Sequence, residues 1–171
     1  SYLADNGKVL PVRAGERLSE REVLRVVLVG SANNYARSLV NWAFGSEAEF
    51  ATAAARWLDQ HNLNSTTIRD ATGMSPANRS TPTDLIAIGK LALGNPVIAP
   101  IVSTKRVVLP PVGEVINTND LLGIDGIDGI KTRTLDEAGA CLLFSADYKV
   151  GGATVTLIGV VLGGPDHPTI N

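Results

Sequence analysis

Cysteine, histidine, surplus charge and long apolar runs are all scarce in this chain, and each scarcity closes a class of function. A single cysteine, Cys141, leaves no partner for a disulfide within the chain and none of the Cys clusters that hold zinc. Read from sequence, it is a small buried hydrophobe. The two histidines, His61 and His167, belong to no H-E-x-x-H or Cys/His pattern, so neither metal nor cofactor is expected. Against 17 acidic side chains stand 15 basic ones, a formal charge of −2. No basic face that would neutralise a phosphate backbone is implied, and nucleic acid is not an expected partner. No apolar run approaches the roughly 18 residues that span a bilayer, and no signal-like series opens the chain. What is present, in 171 residues that are 44% hydrophobic, is about one globular domain's worth of chain with a core to bury.

The first half reads as helices with marked starts. In SEREVLRVVLVG, Ser19 and Glu22 form a capping box, and Val23, Val26 and Val27 are spaced for one buried face. SANNYARSLVNWAFG restarts the apolar rhythm at Ala36, Leu39, Val40 and Ala43, which predicts a second helix beginning near Ser31 and ending at Gly45. Ser46 and Glu49 open a third, rich in alanine. From Asn62 to Ser80 the chain is a long loop of Asn, Ser, Thr, Gly and Pro. Thr81, Pro82 and Asp84 then start a fourth helix that runs to about Gly94.

The second half changes period. RVVLPPVGEVINT predicts a hairpin around Pro110, Pro111 and Gly113, while GACLLFSA and ATVTLIGVVLG read as central strands of a buried sheet. Helices followed by strands, with no repeat, favour an α/β fold of the α+β type or a helical insert beside a sheet, with a mostly helical part over about 15–105 and strands over about 106–163. GIDGIDG, with Asp125 and Asp128, lacks the ligand spacing of a calcium loop and reads as a turn. Trp42 and Trp57, at apolar positions of helices, are expected in the core.

Two short stretches carry the chemistry. In GIKTRT, extended backbone puts Lys131 and Arg133 on one face and Ile130, Thr132 and Thr134 on the other. The plain explanation is an edge strand guarded by lysine; the functional one is a Lys–Thr strand lining an anion site. Upstream, Ser31-Ala32-Asn33 falls between two helices. A plain N-cap accounts for Ser31 and leaves Asn33 solvated and unexplained.

Together, a Ser-x-Asn on a helical loop and, about 100 residues on, a Lys-Thr-x on a strand resemble the later part of the penicillin-recognising serine set. The match extends through Gly15, Glu16, Ser19, Glu22 and Leu24, ATGM at 71–74, STPTDLIAIGK at 80–90, NTNDLLG at 117–123 and EAGACLLFSA at 137–146. On these residues the chain is similar to the D-alanyl-D-alanine carboxypeptidases of the low-molecular-weight penicillin-binding proteins. The resemblance implies a penicillin-binding protein or serine β-lactamase-like fold, an antiparallel sheet with a helical subdomain. It also implies a serine acyl-transfer enzyme acting on peptidoglycan stem peptides that end in D-Ala-D-Ala, inhibited by β-lactams and working outside the cytoplasm.

Roles are carried over residue by residue. Lys131 resembles the cation that meets the substrate's terminal carboxylate, with the Thr132 hydroxyl reaching the same group and the Thr134 N–H serving as an oxyanion donor. Ser31 resembles the proton shuttle to the leaving amine, and Asn33 the amide that holds the acyl-side carbonyl.

Two departures stand against the matches. The family's nucleophile and base come from one helical turn, Ser-x-x-Lys. Here Lys8, Lys90, Lys105, Lys131 and Lys149 follow, at three residues' distance, Asp5, Ala87, Val102, Asp128 and Ala146. The turn would lie ahead of Ser1, so the chain is read as a partial domain that is inactive alone and, with apolar strands uncovered, associates with itself or with the missing segment; a naturally shortened homologue is the alternative. The second departure is Arg133, where the family has glycine; its side chain crowds the groove, adds a contact to a carboxylate, or swings to solvent. The leading function is a serine D-Ala-D-Ala carboxypeptidase. The alternatives are a non-catalytic peptidoglycan-binding or scaffold protein and a β-lactamase, the last disfavoured by the NTN-to-KT block.

Overall fold

Ser19 fixes where the first helix begins. Its hydroxyl accepts from the Glu22 N–H at 3.3 Å, and the Glu22 carboxylate accepts from the Ser19 N–H at 2.7 Å, so α1 (Glu20–Gly30) starts in the reciprocal cap expected from sequence. Helix α2 (Asn33–Phe44) ends at Gly45, and α3 (Glu47–Gln60) begins under Ser46, whose hydroxyl accepts from the Glu49 N–H at 3.2 Å. The computed structural model describes residues 7–136 and 138–170. It continues with α4 (Pro82–Gly94), α5 (Ile98–Val102), the strands β1 (Arg106–Leu109) and β2 (Gly113–Ile116), then β3 (Ile127–Leu135), β4 (Gly139–Val150), β5 (Ala153–Gly164) and a terminal turn, α6 (His167–Ile170). The five-residue α5 is too short to show a period and was not expected.

Contacts divide the chain into two compact units: residues to Thr81 together with Arg106–Asn117, and Pro82–Lys105 together with the chain from Thr118 onward. In the first, α1, α2 and the hairpin β1–β2 enclose Val26, Ala32, Tyr35 and Leu109, with Leu10, Leu18 and Val23 packed around them. Val26 and Val29 are fully buried, each stabilising the fold by roughly 1.5–3 kcal/mol relative to exposure. Gly30 is at closest approach to the hairpin: a Cβ there would stand 2.6 Å from Val115 Cγ1.

In the second unit β3, β4 and β5 form an antiparallel meander in that order. Val150 pairs with Ala153 across Gly151 and Gly152, at φ 56° and 83°, the two positive angles that a tight hairpin turn requires. Gly89 of α4 lies where a Cβ would be 3.2 Å from both Ile130 Cδ1 and Ile158 Cγ2, so the missing side chain lets the helix close on the sheet.

Three expectations are corrected. β4 is central, but β5 is an edge strand among the described residues, with Val155, Leu157 and Leu162 exposed. The tryptophans are not core: Trp42 is 72% and Trp57 39% exposed. On α2 the buried stripe runs through Ala36 and Val40, and two residues beyond Val40 is about 200° around the axis. Trp57 instead stacks on His61, ring centroids 4.2 Å apart. Cys141 is half-buried, at the strand that faces Arg133 in register. Among the described residues no helix is long and apolar enough to cross a membrane.

Candidate functional site

Ser31 is not the N-cap of α2. It closes α1 in the left-handed region, φ 56° and ψ 35°, and Ala32 takes the N-cap position with no side-chain bond. A non-glycine residue in that conformation costs stability, and a glycine would terminate the helix more easily. Residue 33 then enters α2 at once, with its N–H donating to the Lys8 carbonyl at 2.8 Å. Its side chain is not solvated, as a plain cap would leave it: Asn33 is 3% exposed and its Nδ2 donates to the Met74 sulfur at 3.0 Å. The amide nitrogen carries two hydrogens, and the sulfur engages one.

Met74 is itself held by a loop folded around one carboxylate. Asp70 Oδ2 accepts from the Thr72 N–H at 3.1 Å, from the Thr72 hydroxyl, and from the Met74 N–H at 3.3 Å; Oδ1 accepts from the Ser75 N–H at 3.4 Å and from the Asn78 side chain. Thr67 and Arg79 pair as a one-step bridge that closes the loop's base. Burial pushes the Asp70 carboxyl up, but the bonds from Thr72, Asn78 and the Thr72 and Ser75 backbone outweigh it and hold the group below its ordinary value. Met74 enters the sequence reading only as the last residue of ATGM and Asp70 not at all, although Asp-x-Thr-Gly is a recognisable Asx-turn signal. A groove of about 490 Å³ in the same unit, lined by Val12, Leu18, Val23, Tyr35, Leu39 and Trp42 among others, includes neither Ser31 nor Asn33.

The second unit holds the other candidates on β3, which pairs with β4 on one side and has no strand on the other among the described residues. Ile130 and Thr132 are buried, Lys131 and Arg133 half-buried, and Thr134 exposed. The alternation is as read for residues 130–133. Lys131 Nζ donates to the Thr132 carbonyl at 2.8 Å, so the ammonium lies along the strand rather than out in water. Arg133 stands opposite Cys141, and its Nε is shielded from solvent.

The NTND segment holds this strand. Asn119 is 4% exposed; its Nδ2 donates to the Gly129 carbonyl at 3.2 Å and its Oδ1 accepts from the Leu121 N–H at 3.1 Å. The Thr118 hydroxyl lies 2.6 Å from the Thr132 hydroxyl. Downstream, GIDGIDG is a turn only in its first part, with Asp125 and Gly126 at positive φ; Ile127, Asp128 and Gly129 already belong to β3, where Ser145 Oγ donates to Asp128 Oδ1 at 2.5 Å. Among the described residues no cluster of His, Cys, Asp or Glu is arranged to hold a metal. The structure thus gathers Asn33 with Met74 in one unit, and Lys131 and Thr132 with Thr118 and Asn119 in the other. In chemical terms the first offers a buried amide donor two residues after a left-handed serine, and the second an ammonium drawn along the strand to the backbone of the threonine that follows it.

Residues 3–166 match the family model of the D-alanyl-D-alanine carboxypeptidases of peptidase family S11. The D-alanyl-D-alanine carboxypeptidase DacF of Bacillus subtilis is 26% identical over 146 residues, covering 82% of this chain and 38% of that protein. A solved structure of a point mutant of the Streptomyces K15 DD-transpeptidase superposes with a TM-score of 0.86 at 26% identity, over 98% of this chain and 69% of that one. Penicillin-binding protein D2 of Listeria monocytogenes, in its cefotaxime-bound form, gives 0.74 at 29% identity over 91% of this chain and 68% of that one. The chain spans half or less of the length of the curated relatives it matches.

Proposed function

This chain belongs to the D-alanyl-D-alanine carboxypeptidase family of penicillin-binding proteins, and from that premise we propose that it carries the substrate-binding groups of a serine D-Ala-D-Ala carboxypeptidase. The observation that carries the reading is that on β3, an edge strand among the described residues, the Lys131 ammonium does not stand away on its own face but lies along the strand on the Thr132 carbonyl, while Asn119 holds the same strand through the Gly129 carbonyl.

On this reading a stem peptide ending in D-Ala-D-Ala lies antiparallel to β3. Its terminal carboxylate is met by the Lys131 ammonium and the Thr132 hydroxyl, charge-assisted bonds that also fix which carbonyl is presented for attack. The Thr134 N–H stabilises the oxyanion as that carbonyl becomes tetrahedral, Asn33 Nδ2 binds the acyl-side carbonyl with its second hydrogen, and Ser31 passes a proton to the departing D-alanine amine. Arg133 adds a second cation beside the carboxylate. The nucleophile is supplied by a Ser-x-x-Lys turn, which these 171 residues do not contain. The substrate is extracytoplasmic peptidoglycan, and β-lactams, whose carboxylate and acyl carbonyl have the same spacing of groups, compete for the same contacts.

The second reading is a peptidoglycan-binding protein without turnover. A polypeptide extended upstream to carry Ser-x-x-Lys separates the two. It should release D-alanine from an acyl-D-Ala-D-Ala peptide and lose roughly 10²–10³ of that rate on Lys131→Ala; no release would favour the binder. The exposed Val155, Leu157 and Leu162 on β5 further support association with a second copy or with the upstream segment, tested by light scattering with and without that segment. A monomer that stays monomeric in both would refute it.

A further inference from the structure

On the reading that the Thr132 hydroxyl meets a ligand's carboxylate, we propose that Thr118 is the positioning residue that orients that hydroxyl, donating its own hydrogen to Thr132 Oγ1 so that the Thr132 hydrogen is left for the carboxylate. The two oxygens are 2.6 Å apart, a short hydrogen bond in which either could donate. Each hydroxyl has one hydrogen, so the bond between them consumes one of the two available, and the direction of the bond decides which residue keeps the other. A carboxylate offers acceptors alone. If Thr132 donated to Thr118, its oxygen would meet the carboxylate lone pair to lone pair. With Thr118 donating, the groups form a continuous chain, Thr118 O–H to Thr132 O–H to carboxylate, each bond polarising the next.

The surroundings favour this direction. Thr132 is 4% exposed, which limits replacement of Thr118 by water, and among the described residues Thr132 is the hydrogen-bonding partner of the Thr118 hydroxyl. The opposition of residues 118 and 132 is fixed on the neighbouring residue, where Asn119 bonds both to the Gly129 carbonyl and to the Leu121 N–H. Lys131 Nζ on the Thr132 carbonyl adds the cation that draws a carboxylate to this end of the strand. Thr118 therefore acts through Thr132 and touches no ligand itself.

The test is a nuclear magnetic resonance titration of the 171-residue chain with N-acetyl-D-Ala-D-Ala and with its C-terminal amide, reading the ratio of the amide's dissociation constant to the acid's. Any loss of folded protein scales both constants alike and leaves the ratio intact. Thr118→Val, which keeps the shape and removes the hydroxyl, should weaken the acid about 3- to 10-fold, the size expected for one hydrogen bond, and the amide less, since an amide can turn either its acceptor or its donor to the Thr132 hydroxyl. Thr118→Ser should restore the ratio, and Thr132→Val should lower it at least as much as Thr118→Val. A Thr118→Val ratio equal to that of the unsubstituted chain, with Thr132→Val reduced, would overturn the role of Thr118 and leave the carboxylate reading standing. An unchanged ratio in Thr132→Val would overturn that reading, and this inference with it.

Discussion

The Asn33 side-chain amide donates to the sulfur of Met74 at 3.0 Å, joining the start of α2 to a loop 41 residues away. The contact is weak in itself, since a thioether is a poor acceptor. Its use is geometric: with one amide hydrogen committed to sulfur, the other is aimed. Met74→Leu keeps the volume and removes the acceptor. It is expected to leave the melting temperature within a few degrees of the parent while broadening the Asn33 side-chain amide resonances, and unchanged resonances would show that the sulfur does not orient the amide.

The carboxylate that shapes the Met74 loop gives a pH signature. Asp70 is held below its ordinary value in the folded chain, because the bonds from Thr72, Asn78 and Ser75 outweigh its burial. A depressed carboxylate contributes stability that is present above the unfolded value, about 3.9, and lost as pH falls through the folded one. Thermal melts from pH 6 to pH 2 should therefore show a larger acid loss in the parent than in Asp70→Asn. Glu22 and Asp166 are lowered as well, so the difference between the two proteins isolates Asp70. Parallel curves would mean the loop does not depend on the ionised group.

At Ser31 the backbone is left-handed, φ 56°. Glycine adopts that region without cost, whereas an alanine pays roughly 1–2 kcal/mol. Ser31→Gly should accordingly be more stable than Ser31→Ala by about 1 kcal/mol in urea unfolding, although neither retains the hydroxyl. Equal stabilities would mean that the turn relaxes.

Gly30 tests the packing of α1 on the hairpin. A Cβ would fall 2.6 Å from Val115 Cγ1 and 3.0 Å from Leu10 Cδ1, so Gly30→Ala should cost about 1–3 kcal/mol despite the better helix propensity of alanine. A stabilised variant would contradict the close approach.

What was legible in sequence was what is local. The Ser19–Glu22 box and the Ser46 cap need only three residues' spacing, and the hairpin declares itself through Pro and Gly between two short β-prone runs. Ser31 misled for the same reason: a serine before a helix is read as its cap, while the geometry makes it the end of the helix before. Trp42 and Trp57 were placed inside because apolar character does not say which side of a helix finds a neighbour. Asp70 and Thr118 were missed because their meaning lies in partners that only folding supplies, a loop's worth of N–H groups for one and a hydroxyl 14 residues away for the other. The resemblance supplied the candidate site residues, and the structure supplied what holds them.

The account turns on which part of the chemistry these residues hold, and intact mass spectrometry after incubation with a penicillin addresses that most directly. The 171-residue chain should gain no penicilloyl mass, since loss of the nucleophile in a serine hydrolase costs about 10⁶ in turnover. The same sequence extended upstream to carry a Ser-x-x-Lys turn should gain one, on that serine. An adduct on the shorter chain, at Ser31 for instance, or none on the longer, would contradict the account.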